Sequence, residues 1–492
     1  MNRFKILLLC VLAGIIISET AVTAEKYADV TVNILTFPGP FLAEPVERRA
    51  MEFAEATGAT INVTKVKEYN DLYKMMLADF SSGKNQYHVA VYPAMWTPDF
   101  AQLGYLEDIT DRVSSDAKLQ WNDVVPFFRK FITTYNEHVY SIPLDGDFHM
   151  MYYRKDILDK AGLKYPRTWN DYIKVAATIH GQDMNGDGEP DYGSCISREP
   201  EYEAYWYFLS IAAAFLQSEG TSQGIFFDTR NMKPLVNNEA FEAAINIYLE
   251  TAKYGPLNEL EMNTPELHNL FIEGRCGLAI GWGDIGIMSI GSNSKVKDRV
   301  GAAILPGSPR VLDRNTGKIA DCDTARCPYA INKINHAPFA AFGGSSGSIN
   351  AASDTKTKEA AYAFLSYMSQ PKQSNTDVTL GITACNPYRF SQFKKAAPWI
   401  KAGMSKDTVK SYLGAIGKSL NSPNMVLDLK IIKSHSYLGG VLDGILNKLL
   451  TGKLNKKQAM AKIEKGWEDI TDKIGRDKQL RAYLLSLGRK VK

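Results

Sequence analysis

The 492-residue chain has almost no excess of charge: 57 Lys+Arg stand against 54 Asp+Glu, a net of +3. So small an imbalance excludes a whole-protein attraction to nucleic acid or to an acidic membrane surface. No basic stripe interleaved with aromatics occurs, and internal repeats and low-complexity tracts are lacking, which excludes solenoids and linker arrays. No H-E-x-x-H zinc signature is present, and the 7 His are scattered. Past the N-terminus no apolar run reaches membrane-spanning length. Only 6 Cys occur, so the chain is no disulfide-stapled scaffold, and at this length a core needs no staples.

What is present is ordinary globular composition: 45% hydrophobic, 23% charged and 11% aromatic residues, with a length that suits about two or three domains. The start of the chain reads as a secretory signal over residues 1–24. Arg3 and Lys5 form a positive end, Ile6 to Ile17 an apolar stretch, and Val22-Thr23-Ala24 a small-residue cleavage site. The mature protein is then expected to be soluble and exported to the periplasm. Cys10 lies inside the apolar run, away from a lipoprotein cleavage position. Of the remaining Cys195, Cys276, Cys322, Cys327 and Cys385, the nearby Cys322 and Cys327 are the best candidate for a disulfide.

Strand and helix signals alternate along the first part of the chain. Val30 to Phe37 reads as a strand, Ala43 to Thr57 as a helix, Thr60 to Val66 as a strand, Tyr69 to Ser81 as a helix and Tyr87 to Tyr92 as a strand. Such alternation implies crossover connections and a mostly parallel sheet. Further helices are expected at Lys155 to Ala161, from Trp169 behind its cap Thr168, and at Ala204 to Leu216, Glu239 to Lys253 and Thr355 to Ser369. Gly343 to Ser348 reads as a flexible crossing. The Lys-rich tail after Pro398 reads as helices with a solvated face.

The stretch Ser141-Ile-Pro-Leu-Asp-Gly-Asp-Phe-His-Met-Met-Tyr-Tyr-Arg-Lys-Asp156, with Ala161-Gly-Leu-Lys-Tyr-Pro-Arg-Thr-Trp169, resembles the signature of extracellular solute-binding proteins of ABC importers. The carbohydrate-binding cluster that includes maltose-binding protein is the most similar group. Phe271-Ile-Glu-Gly-Arg-Cys-Gly-Leu-Ala-Ile-Gly-Trp282, Ala303-Ile-Leu-Pro-Gly307 and Lys358-Glu-Ala-Ala-Tyr-Ala-Phe-Leu365 follow in the same order. The resemblance implies an α/β, two-lobed periplasmic-binding-protein fold with a hinge of crossing segments and a central ligand cleft. It places residues 25–143 and 304–345 in an N-terminal lobe and 146–302 and 347–492 in a C-terminal lobe. Crossings are expected near Pro143 to Gly146, Ala303 to Pro306 and Gly343 to Gly347. The implied function is capture of a carbohydrate and its delivery to ABC permease subunits by a monomer, with no reaction catalysed and no organic cofactor.

A polyhydroxylated ligand needs aromatic faces for its C–H surface and side chains with paired hydrogen-bonding groups for its hydroxyls. Asp147, after the first crossing, matches a ligand-binding carboxylate of the maltose-binding pattern, and Asp145 is its companion. Tyr92, Trp96 and Phe37 follow strand ends. Trp282 and Asp284 close the turn after Ala279-Ile-Gly281. Tyr205 and Trp206 open a helix and can stack on a sugar or pack in the core. Asn386 and Arg389 follow the third crossing, where Arg389 suits a bidentate contact or a structural ion pair.

Asp183, Asn185, Asp187, Glu189 and Asp191 have the spacing of an EF-hand-type calcium loop, with Gly188 at position six. Position twelve is Ser194, not the usual Glu, so Glu199 or Glu201 would have to complete the shell. The expectation is a structural calcium; the alternative is a metal-free turn rich in Asp and Asn. Two other functions compete with transport: an exported carbohydrate-active hydrolase, because folding can bring carboxylates together, and a periplasmic receptor feeding a sensor kinase.

Overall fold

The computed structural model describes residues 26–37, 39–200, 203–381 and 383–491. The expected signal segment, Cys10 and Glu201 lie outside them. Among the described residues no helix is long and apolar enough to cross a membrane.

Two main sheets organise the described residues. The first has the order Thr60–Lys65, Thr31–Thr36, Val89–Pro93, Ser345–Ile349, Ile142–Pro143. Its first three strands are parallel and are joined by the helices Gly39–Thr57 and Tyr69–Ser82. All five residues of Val89–Pro93 are buried, as expected of a strand covered on both faces. The second sheet has the order Val300–Ala303, Met150–Arg154, Cys276–Gly281, Tyr192–Cys195. Here Met150–Arg154 is antiparallel to both neighbours, whereas the parallel pairing expected of the alternating first part of the chain holds for Thr31–Thr36, Thr60–Lys65 and Val89–Pro93. Alternating strands and helices force parallel pairing only while the chain stays in one lobe. Met150–Arg154 and Ser345–Ile349 each enter from the opposite lobe and run against their neighbours.

Local signals account for the helices around the second sheet. Thr168 caps Trp169–Ile179 in a reciprocal capping box with Asp171. Ala204–Leu216 is apolar all round and every one of its residues is buried, so it runs through the lobe interior.

The lobe boundaries differ from those the sequence implies. Residues 304–345 were expected in the first lobe, but the hairpin Arg310–Asp313/Lys318–Asp321 packs against Ala204–Leu216 and Glu239–Ala252 of the second. Gly307 pairs with Thr168, so Ala303 to Pro306 is not a crossing. Residues from 347 were expected in the second lobe, yet Ser345–Ile349 is a strand of the first sheet. Helix Thr355–Ser369 packs on Gly39–Thr57 and Thr31–Thr36. Hairpins and helices carry no lobe label in sequence; the faces they cover decide.

The segments that do cross lie against one another. Residues 144–149 leave the first sheet for the second, and 341–344 return. Leu144 N donates to Ser345 O at 3.0 Å, and Gly146 N to Asn386 O at 3.2 Å. A Cβ on Gly344, whose φ is +91°, would stand 2.2 Å from Asp145 O, and one on Gly146 would stand 2.6 Å from Pro387 O. Only glycine permits these approaches.

The tail ties the lobes together rather than merely facing solvent. Lys430 Nζ donates to the carbonyls of Phe131, Ile132 and Thr134 at 3.0, 2.9 and 2.9 Å. Farther on, Trp467 is buried, with Nε1 donating to Tyr437 O at 2.8 Å. Cys322 and Cys327 are bonded as expected. A second disulfide, Cys195–Cys276, ties adjacent strands of the second sheet, and the Cys385 thiol is free and buried.

Candidate ligand-binding cleft

A cavity of about 410 Å³ opens between the sheets. Trp206, Trp282, Phe342 and Tyr69 supply its aromatic wall. Trp206 comes from the first turn of the buried helix, Trp282 directly follows the strand Cys276–Gly281, and Phe342 lies on the 341–344 crossing. Tyr69 begins its own helix in the first lobe. The rings meet edge to face: Trp206 and Trp282 at 5.5 Å, Trp206 and Phe342 at 5.6 Å, Tyr69 and Phe342 at 6.3 Å between centroids. Trp206 Nε1 donates to Asp428 Oδ2 at 2.8 Å, and Trp282 Nε1 to Ala341 O at 3.0 Å. With both indole N–H groups engaged by protein, these side chains offer a ligand ring surface.

The polar wall begins at the crossings. Asn386 Nδ2 donates to Asp147 Oδ1 at 2.7 Å, and Asn386 N to Asp145 Oδ1 at 2.6 Å. Burial raises the Asp147 carboxyl well above the ordinary range, and Asp145 beside it adds to the rise. Burial likewise pushes Asp145 to about 6. Opposite, Glu203 Oε2 accepts from Thr264 N at 2.6 Å and Thr264 Oγ1 at 2.7 Å, yet burial holds its carboxyl at about 7. His268 Nδ1 stands 3.1 Å from Asp284 Oδ2. His149, behind Trp282 at 4.3 Å between rings, is kept neutral by burial.

Asp147, Trp206, Trp282, Asp284 and Asn386 thus line one cavity, as the sequence suggested they could. Other candidates lie elsewhere. Asp145 supports Asn386 from below and borders a separate void of about 10 Å³. Tyr92 and Trp96 are buried in the first lobe, stacked at 6.3 Å, with Tyr92 Oη 2.8 Å from Ser348 Oγ. Their strand is enclosed on both faces, so its end does not open to the cleft. Phe37 is buried behind Tyr69 and Phe342 at 5.5 and 5.8 Å. Tyr205 turns away from the neighbouring Trp206, and its hydroxyl meets Met95 Sδ at 3.8 Å. Arg389 is fully buried and holds Leu119 O and Ser369 Oγ at 3.0 and 3.1 Å, a structural anchor.

Tyr69, Glu203, Asn263, His268 and Phe342 line the cavity without having been singled out. Phe342 had a signal, since it precedes the Gly343-Gly344 crossing. Asn263 had only the signal of a helix cap, through its spacing with Glu266 and Pro265; Tyr69, Glu203 and His268 had none, because isolated polar or aromatic residues in or beside helices are common.

Gly343-Gly344-Ser345-Ser346-Gly347 also has the G-x-S-x-G spacing of a hydrolase nucleophile elbow, which the reading as a crossing passed over. Such an elbow needs a strand-to-helix turn. Ser345 instead begins a buried strand paired with Pro93, and among the described residues no histidine hydrogen-bonds its hydroxyl.

In the Asp183–Asp191 loop the side chains accept from the loop's own backbone. Asp183 accepts from Gly186 N and Gly188 N at 2.7 and 3.0 Å, and Asp187 from Glu189 N at 2.9 Å. Asn185 Oδ1 accepts from Asp187 N at 3.0 Å. Buried Asp191 accepts from Met184 N at 2.7 Å and pairs with Arg275 at 3.0 Å. Among the described residues no three acidic, His or Cys side chains converge as a metal site.

The fold is similar to an ABC transporter solute-binding protein of Agrobacterium radiobacter K84 solved in complex with ribitol. The TM-score is 0.73 and the identity 20%, over 91% of this chain and 100% of that one. It is also similar to maltose-bound T. maritima MalE3, with a TM-score of 0.70 and 18% identity over 90% of this chain and 100% of that one. An Agrobacterium vitis S4 solute-binding protein with bound D-mannitol matches at 0.67 and 20%, over 90% and 99%. No curated protein sequence matches the chain. The profile of bacterial extracellular solute-binding proteins matches residues 35–375. With two lobes, a cleft between them and this match over most of its length, the chain belongs to the bacterial extracellular solute-binding protein family.

Proposed function

We propose that the protein captures a carbohydrate or polyol in the periplasm, acting as a monomer, and delivers it to the membrane subunits of an ABC importer. The observation that carries this reading is the make-up of the cavity. Aromatic rings with engaged N–H groups stand opposite Asp147, Asn386, Glu203 and Asn263. Rings accept the C–H faces of a sugar, and paired polar groups match its hydroxyls. The structurally similar proteins solved with ribitol, maltose and D-mannitol support the same ligand class.

The test is a thermal-shift screen of the mature protein against sugars and polyols, with chromatography of the recovered ligand. A stoichiometric rise in Tm with unaltered ligand supports capture. Ligand converted to product would establish a hydrolase instead.

A further inference from the structure

We propose that Asp428 is a positioning residue for ligand recognition, fixing the aromatic wall of the cleft from outside the cavity by holding Trp206 and Phe342 at once. This rests on the carbohydrate reading above and gives that site a recognition element beyond its lining.

Asp428 is not among the described residues that line the cavity. Its Oδ2 accepts from Trp206 Nε1 at 2.8 Å and from Phe342 N at 3.1 Å, and its Oδ1 from Leu429 N at 2.8 Å. Trp206 belongs to the helix Ala204–Leu216 and Phe342 to the 341–344 crossing. One carboxylate oxygen therefore sets two cleft rings that come from separate elements. Trp282 joins them through the same crossing, since its Nε1 donates to Ala341 O. Burying a carboxylate is costly, and of the N–H groups that compensate it here two belong to the cleft wall. An indole held at its far edge has lost its rotamer freedom before the ligand arrives, so a sugar stacks on it at a smaller entropic cost.

Asp428 can hold the rings because its own segment is clamped on both sides. Toward the second lobe, Val426–Leu427 pairs with Phe339–Ala340, and Asn424 Nδ2 donates to Gln217 O at 3.3 Å and to Asn335 Oδ1 at 3.1 Å. Toward the first lobe, Lys430 Nζ holds the carbonyls of Phe131, Ile132 and Thr134, and Lys433 N donates to Asp99 Oδ1 at 2.9 Å. The segment thus ties a ring of the second lobe to the position of the first.

The experiment is isothermal titration of the mature chain with ribitol, D-mannitol and maltose at pH 8, where Asp428, raised only to about 6, is ionised. Wild type is compared with Asp428→Ala, Asp428→Asn, Trp206→Phe and the double variant Trp206→Phe/Asp428→Ala. The expected result is that Asp428→Ala weakens the compound bound by wild type about tenfold, as loss of a hydrogen bond to a charged group does. Asp428→Asn, whose amide oxygen can stand in for Oδ2, restores most of that loss. In the Trp206→Phe background, with no Nε1 to hold, the alanine exchange costs about threefold or less. The indole 15N resonance of Trp206, identified by its absence in Trp206→Phe, moves in Asp428→Ala and returns toward its place in Asp428→Asn, which a general loss of stability would not produce. Asp428→Ser, too short to reach Nε1, takes the place of the alanine variant if that is not recovered folded. Wild-type affinity in Asp428→Ala, or an equal loss with and without the Trp206 indole, overturns the positioning role and leaves carbohydrate capture standing. Binding of none of the three compounds by wild type overturns the carbohydrate reading and the proposal built on it.

Discussion

Asn386 Nδ2 donates a 2.7 Å hydrogen bond to Asp147 Oδ1, joining two segments 239 residues apart at the rim of the cleft. Beneath it, Asn386 N donates to Asp145 Oδ1. One asparagine therefore sets the position of both crossing carboxylates, and a ligand touching Asp147 also senses the contact between crossings.

Asp147→Ala should abolish the ligand-induced rise in Tm. At a ligand concentration of 100 times Kd, the wild type gains about 2.7 kcal/mol. The unliganded variant should melt no earlier than wild type, because removing Asp147 also removes its repulsion with buried Asp145. Paired melting scans with and without sugar measure both effects, and a variant that keeps its ligand shift would exclude Asp147 from the binding surface.

Asp428 should make stability depend on acid in an unusual direction. It accepts from Trp206 Nε1, Phe342 N and Leu429 N, yet burial pushes its carboxyl up to about 6 from the ordinary 3.8. The folded state then holds this proton more tightly than the unfolded chain. Its contribution to stability rises as pH falls from about 7 through 6 and levels off near 4, a change of about 3 kcal/mol. Asp428→Asn should flatten that part of the urea-denaturation profile between pH 7 and pH 4, and a profile with the same slope as wild type would refute the assignment.

The two disulfides should contribute unequally. Cys195–Cys276 closes a loop of sequence separation 81 and Cys322–Cys327 one of 5. Chain-entropy arguments give about 4.5 kcal/mol for the first and about 2 kcal/mol for the second. The double serine variant at Cys195 and Cys276 should lose clearly more in chemical denaturation than the one at Cys322 and Cys327.

The Asp183–Asp191 loop should be indifferent to calcium. Adding the ion or a chelator is expected to leave Tm unchanged, whereas Asp191→Ala should destabilise by about 3 kcal/mol through the unpaired Arg275 and two orphaned N–H groups. A rise of several degrees with calcium would show that the loop binds the ion, as its sequence spacing suggested.

Much of the fold was legible. Ala204–Leu216 and Thr355–Ser369 have the bounds their apolar patterns suggest, and Thr168 caps where its spacing with Asp171 requires. Gly343 to Ser348 misled, since Gly and Ser read as a loop although Ser345–Ile349 is a buried strand of the first sheet. Such small residues let Leu365 pack closely on it: a Cβ on Gly347 would lie 2.2 Å from that side chain. In the site, Trp206 was legible as an aromatic opening a helix. Its neighbour Tyr205 looked the same in sequence, and only the way the helix is seated separates them.

By itself the sequence determined the family, most of the helices and strands and the glycine-bearing crossings, because these depend on periodicity, caps and turn chemistry over a few residues. Tertiary structure alone decided which lobe the hairpin Arg310–Asp313/Lys318–Asp321 covers and which strands run antiparallel. It also decided that Asp147, Glu203 and Asp284 share one cavity with no Lys or Arg among its described lining residues. The physical reason is that charge compensation acts through space: carboxylates far apart along the chain become a common electrostatic problem only when two lobes close a low-dielectric space around them.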